Sequence, residues 1–250
     1  MKKTLYLAGS EVRVRVDGPS LVVRHGGEAE RRYPIGRLRR VVCTRGAGLP
    51  WDALQACGDA GLTVAALRRD GNPRGIWMPA RAADAGMGAL VEEWLDRGGW
   101  QAEWSNWCAN REMREIGAAA ARMRILLRDR RAAVARRVLT DRWGEERKSL
   151  AAALKGLLYS HVGMRVVQAG LDPALLAGHP REFDPVKRLT EILHWRHLGD
   201  VGQVEDVAGV SGKDAWKRAV ALYEKVAGRE EQRINALLEA WSGWLGRLWE

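Results

Sequence analysis

The prevailing hydrophobic period of the chain changes at Pro79, and that change limits the folds open to it. Before it, Val12, Val14 and Val16 alternate with Arg13 and Arg15, the period-two pattern of a half-buried strand. Leu5 to Leu7, Leu21 to Val23, Arg31 to Ile35, Leu38 to Thr44, Thr63 to Leu67 and Gly75 to Met78 read as further strands. The punctuation between them is Gly9, Asp17-Gly18, Gly26-Gly27 and Asp70-Gly71-Asn72-Pro73. Trp51 to Gly58, with Pro50 before it, carries helical spacing. After Pro79 the spacing is helical over 85–98, 101–124, 126–140, 147–169, 185–198 and 213–249. The fold class expected is α+β, a small N-terminal β-rich domain followed by a larger all-α domain. Residues 1–78 form the first, 79–88 a linker rich in Ala, Gly and Asp, and 89–250 the second.

Charge comes next, and it is densest between Arg122 and Lys148. The net charge is +10, and arginine supplies it far more than lysine. A planar guanidinium gives a phosphate two hydrogen bonds, so a polyanion, most simply DNA, is the expected partner. The apolar runs fall short of the ~20 residues that span a bilayer, so no membrane partner is expected. Met1-Lys2-Lys3 leads into a β-like run and not into a signal-peptide core, which makes a soluble cytoplasmic protein the expectation. Cys43, Cys57 and Cys108 show no CxxC spacing and read as small core residues. Twelve tryptophans accompany a single phenylalanine, a preference the sequence leaves unexplained.

Two stretches carry candidate chemistry. Between Arg122 and Lys148, Arg124, Arg128 and Arg131 fall three or four apart, as they would on one helix face. With Arg136, Arg137, Arg142 and Lys148 they make a candidate DNA-binding ridge. The second stretch follows the helix and turn LLYSHVGMRVVQAGLDPALLAGH, which stops at Gly170, turns at Asp172-Pro173 and ends on His179. Glu182, Asp184, Glu191, His194, His197 and Asp200 come after it, with Glu191, His194 and His197 spaced by three. A carboxylate and an imidazole there are candidate ligands for a divalent cation. A solvated or capping cluster is the alternative. No Walker loop, GxSxG elbow or Rossmann glycine pattern occurs.

The strand order LYL, VRVRVDGPSLVV and YPIGRLRRVVCT, the segment DALQACGDAGLTVAALRRDGNPRG and the helix and turn ending at His179 together resemble one family. It is the CRISPR-associated integrase of spacer acquisition, an antiviral defence protein. The resemblance implies a β domain that forms a homodimer and a helical domain that binds DNA. It also implies a divalent ion, Mg or Mn, held by a glutamate, a histidine and an aspartate for joining prespacer 3′ ends to the repeat. A small ferredoxin-like acquisition partner goes with that activity. His179 matches the family histidine. The glutamate position falls near Arg131, before Ala135-Arg136-Arg137. The aspartate position falls on Glu191 if no gap is allowed, or on Arg188 if Glu191 matches the final glutamate of the family segment.

His179 and Glu191 are therefore the candidate catalytic and metal-binding residues. An integrase-like DNA-binding protein with impaired catalysis is the first reading. An active metal-dependent endonuclease and integrase, with Asp184, Glu182, Glu145 or Glu146 as relocated ligands, is the second. A basic DNA-binding assembly factor outside CRISPR is the third. The C-terminal apolar positions Trp241, Trp244, Leu245, Leu248 and Trp249 read first as core and second as a partner site.

Overall fold

The computed structural model describes residues 2–44, 46–79, 86–178, 183–204 and 212–248. Seven strands come first: β1 (Lys3–Ala8), β2 (Val12–Asp17), β3 (Ser20–His25), β4 (Arg31–Pro34), β5 (Leu38–Thr44), β6 (Thr63–Leu67) and β7 (Pro73–Trp77). A single 3-10 turn, Ile35–Arg37, joins β4 to β5, and α1 (Trp51–Asp59) crosses from β5 to β6. The strands and short helix expected from the alternation are present to within a residue or two, the run expected at Gly75 beginning at Pro73. The helices that follow are α2 (Gly86–Asp96), α3 (Trp100–Arg122), α4 (Ala132–Thr140), α5 (Glu145–Gln168), α6 (Pro173–Gly178), α7 (Pro185–Gly202) and α8 (Gly212–Gly246). Helix α2 begins inside the stretch expected as linker. The short α6 has no counterpart among the expected helices, because Asp172-Pro173 reads equally well as a turn.

Two sheets share the N-terminal part. One has the order β1-β5-β6-β7, parallel except for the antiparallel β7, and the other is the antiparallel meander β2-β3-β4. Successive side chains of a strand point to opposite faces, and β5 shows what that does here. Val41 and Cys43 pack with Leu5, Leu7, Leu21 and Val64 in the core beneath α1. Val42, between them, belongs with the helices. A strand covered on both faces reads as a continuous apolar run, which is how Val41-Val42-Cys43 reads. The cysteines are buried and free, as expected, and burial pushes the thiols of Cys43 and Cys108 up to about 12.

Helix α5 is the spine. It packs on α7, on α8 and, through its middle, on β5, β6 and β7. Gly156 and Gly163, seven residues apart and so on one helix face, let it approach the sheet. A Cβ on Gly156 would overlap the Gly71 carbonyl oxygen, and one on Gly163 would overlap Ile76 Cδ1. The tryptophans have a structural explanation. Trp94 of α2, Trp100 and Trp104 of α3 and Trp241 of α8 pack around Phe183, with Trp104 and Trp241 centroids 4.8 Å apart, and Trp107 of α3 and Trp244 of α8 pack against these tryptophans. The end of α8 is thus core, with Trp241 and Leu245 fully buried. Among the described residues no helix is long and apolar enough to cross a membrane.

Candidate functional site

Helix α7 begins at a cap the sequence supplies: Asp184 Oδ1 accepts from Lys187 N at 2.8 Å and Pro185 opens the first turn. From there Arg188, Glu191 and Trp195 recur at i, i+3 and i+7 and face α3. Arg188 stands between two carboxylates. Its Nη2 donates to Glu112 Oε2 at 2.8 Å and its Nη1 to Glu191 Oε2 at 3.3 Å. Glu112 is only 6% exposed, and its other oxygen accepts from Trp195 Nε1 at 2.9 Å. One turn on, Arg196 forks onto Glu115 of α3 at 2.6 and 3.3 Å.

Basic groups surround this cluster. Arg136 of α4 lies over the Trp195 ring, 4.8 Å from its centroid. Burial lowers the Lys155 pKa, Glu191 acts in the opposite direction, and Arg136 and Lys187 add to the lowering. Burial also works against the Arg188 charge, and Glu112 and Glu191 outweigh it. Two carboxylates therefore answer four cations, Arg136, Lys155, Lys187 and Arg188. Such a set attracts anions. It does not suit a divalent ion, because the Glu191 carboxylate is already engaged by a guanidinium and faces a lysine.

The remaining candidate ligands are dispersed. His179 and Glu182 lie outside the described residues. Asp184 is the α7 cap, and Asp200 pairs with Arg122 at 3.0 Å. Glu145 pairs with Lys148 at 2.9 Å, and Glu146 shares the first turn of α5, where the helix dipole favours acids. His194 and His197 do not join Glu191 at a surface. Both are buried, with ring centroids 6.1 Å apart. Burial, then His197, Arg136 and Lys155, pull the His194 pKa well below its ordinary value. Among the described residues no three His, Cys, Asp or Glu side chains are placed to hold a metal. The residues sequence reasoning missed are Glu112 and Lys155. The Arg188–Glu191 spacing was a legible signal, whereas nothing local marks Glu112, whose partners lie 76 and 83 residues away.

The basic ridge is present but not as a helix face. Helix α3 ends at Arg122. Arg124 takes a left-handed conformation (φ 55°), and Ile125 N closes back onto Ala120 O at 2.9 Å, the hydrogen bonding of a helix stop. Asp129 then binds both the backbone and the guanidinium of Arg131, at 2.8 and 2.6 Å, so α4 starts only at Ala132. The helix expected over 126–140 is therefore nine residues long, and Arg124, Arg128 and Arg131 ride an irregular connection. They are exposed, as are Arg137, Arg142 and Lys148, whereas Arg136 is half-buried against Trp195.

Residues 5–125 match the family model described as CRISPR associated protein Cas1. Over those residues, just under half of the chain, the sequence is similar to the Cas1 family. The fold of the chain is similar to that of a CAS1 protein from Thermotoga maritima, at 12% identity, 97% coverage of both chains and a TM-score of 0.75. A casposase bound to integration product matches at 13% identity, over 89% of this chain and 82% of that one, with a TM-score of 0.65. A TtCas1–DNA complex matches at 12% identity, over 93% and 95%, with a TM-score of 0.51. No curated protein sequence matches. Strands followed by helices, the order expected from the sequence, is the Cas1 arrangement.

Proposed function

We propose that this protein binds and positions DNA in spacer acquisition as an integrase-like component whose own strand transfer is impaired. The observation that carries the reading is Arg188, held between Glu112 and Glu191 where a catalytic acid would need to be free. A fixed guanidinium neutralises the carboxylates without supplying the open coordination position that metal-assisted phosphoryl transfer uses. The exposed run from Arg124 to Lys148 and the cationic surroundings of Glu191 supply the phosphate contacts. The DNA in the TtCas1 complex and the integration product on the casposase support DNA as the partner by similarity of fold. Residues 1–78 act as the dimerising part of a cytoplasmic homodimer, 79–88 as the linker and 89–250 as the DNA-binding part, with a small ferredoxin-like protein as acquisition partner.

Fluorescence anisotropy on a branched duplex that mimics an integration intermediate tests this. Affinity is expected to be unchanged by EDTA and to fall about 100-fold or more between 50 and 200 mM salt. Binding that requires Mg²⁺ or Mn²⁺, or that ignores salt, contradicts it.

A further inference from the structure

Beside the C-terminal half of α7, a cavity of about 330 Å³ opens against α8. Two buried groups lining it have hydrogen-bonding capacity unused. His197 is 2% exposed and neither ring nitrogen makes a hydrogen bond among the described residues. Glu230 is 3% exposed. Its Oε1 accepts from Arg233 at 2.6 Å, while Oε2 has no hydrogen bond and stands 3.7 Å from His197 Nε2. Burial works against the Glu230 charge, yet His197 and Arg233 hold its carboxyl below the ordinary range. Buried polar atoms are nearly always paired, so two side chains in the wall of one cavity whose buried atoms lack hydrogen bonds mark a place for a ligand that draws them toward it.

The other surfaces narrow its chemistry. Leu154 of α5, Val201 of α7, and Leu222 and Val226 of α8 make an apolar wall. Arg196 and Arg229 stand at the rim. Arg196 is held by Glu115, and Arg229 is exposed with no ion pair among the described residues. A carboxylic acid would set a second anion against Glu230. A metal ion or a simple amine would face four arginines, Arg122, Arg196, Arg229 and Arg233. A hydrocarbon would leave His197 and Glu230 unpaired. A planar heterocycle with amino donors, joined to a phosphate, meets all three surfaces.

We propose that this cavity binds a nucleotide, its base against the apolar wall with an amino group on Glu230 Oε2 and its phosphate at Arg229 and Arg196. Adenine, cytosine and guanine carry the exocyclic amine that Glu230 takes, and thymine does not. The nucleotide can be free or an unpaired residue of a strand, since both present the same groups. The site lies across α7 from Arg188 and does not depend on the DNA-positioning reading.

Calorimetric titration of the full chain with dAMP, dCMP, dGMP and dTMP tests it. The first three are expected to bind, with dTMP at least fivefold weaker. Val226→Trp, which fills the cavity from its half-buried edge, and Glu230→Gln are each expected to lower affinity at least tenfold. Thermal melting confirms that each variant folds, and Val226→Trp alone carries the test if Glu230→Gln does not. Arg128→Ala, outside the cavity, should weaken duplex binding and leave nucleotide affinity unchanged. Displacement of bound nucleotide by single-stranded but not duplex DNA supports the site with a strand as source, and no displacement supports it with free nucleotide. Absence of binding by any mononucleotide at millimolar concentration, or full affinity in Val226→Trp, overturns the proposal.

Discussion

A guanidinium between two carboxylates is a fixed charge with fixed donors, whereas a metal ion in such a place exchanges ligands. That difference is why Arg188 matters more than any single acid around it. The spacing of Arg188 and Glu191 suits an ion pair, but the sequence presented the two residues only as alternative matches to the family's aspartate position. It could not show that Glu112 completes the pair, because contact across 76 residues depends on how α3 and α7 pack. The arginines of the basic run differ in availability for the same local reasons. Arg131 is forked onto Asp129 at 2.8 and 2.6 Å, while Arg128 and Arg137 are exposed with no ion pair among the described residues. Arg128→Ala and Arg137→Ala should each reduce the salt slope of DNA binding by about 1. Arg131→Ala should reduce it by clearly less, because Asp129 already neutralises that charge. Equal slopes for the three variants would show that the ion pair does not persist in solution.

At the scale of elements, alternation and turn residues identified every strand, because each lies between strong breakers and buries at least part of one face. Helix positions were equally legible, but the start of α4 was not. Arginine is a good helix former, so residues 126–131 look helical until Asp129 captures the Arg131 backbone, and that competition depends on geometry. The approach of α5 to the sheet is likewise a matter of shape. At Gly156 an added methyl meets the Gly71 backbone carbonyl, which cannot yield without moving the turn after β6. At Gly163 it meets the end of the Ile76 side chain, which can rotate. Gly156→Ala should therefore cost about 2 kcal/mol or more in stability. Gly163→Ala should lie within about 1 kcal/mol of the parent, since the gain in helix propensity offsets the repacking. Urea unfolding of the two variants measures the difference, and equal losses would show that backbone contact does not set the α5–sheet distance.

For the molecule as a whole, sheet and bundle are joined by polar groups as well as by the shared core. Arg40 of β5 lies over Tyr223 of α8 at 5.7 Å, His161 Nδ1 is 3.0 Å from the Tyr223 hydroxyl, and Arg39 pairs with Glu231. Burial, followed by Arg40, Arg39 and Arg165, pulls the His161 pKa far down, and burial does the same to His194. Both imidazoles are therefore neutral when folded, yet take a proton near pH 6.5 when unfolded. The stability they allow is complete above that pH and is lost as pH falls below it, at about 1.4 kcal/mol per pH unit for each group. Melting temperature should drop steadily from pH 6.5 to 5, and His161→Gln should roughly halve the slope. A flat profile would mean that these histidines are not buried in solution. The central claim, that the Arg188 pairing leaves this protein a binder of DNA with impaired strand transfer, is tested most directly by strand joining. Labelled prespacer ends and repeat DNA are incubated with Mg²⁺ or Mn²⁺ and resolved on a gel. Metal-dependent product is predicted to stay at the level of a His179→Ala variant, and efficient joining that disappears in His179→Ala would contradict the account.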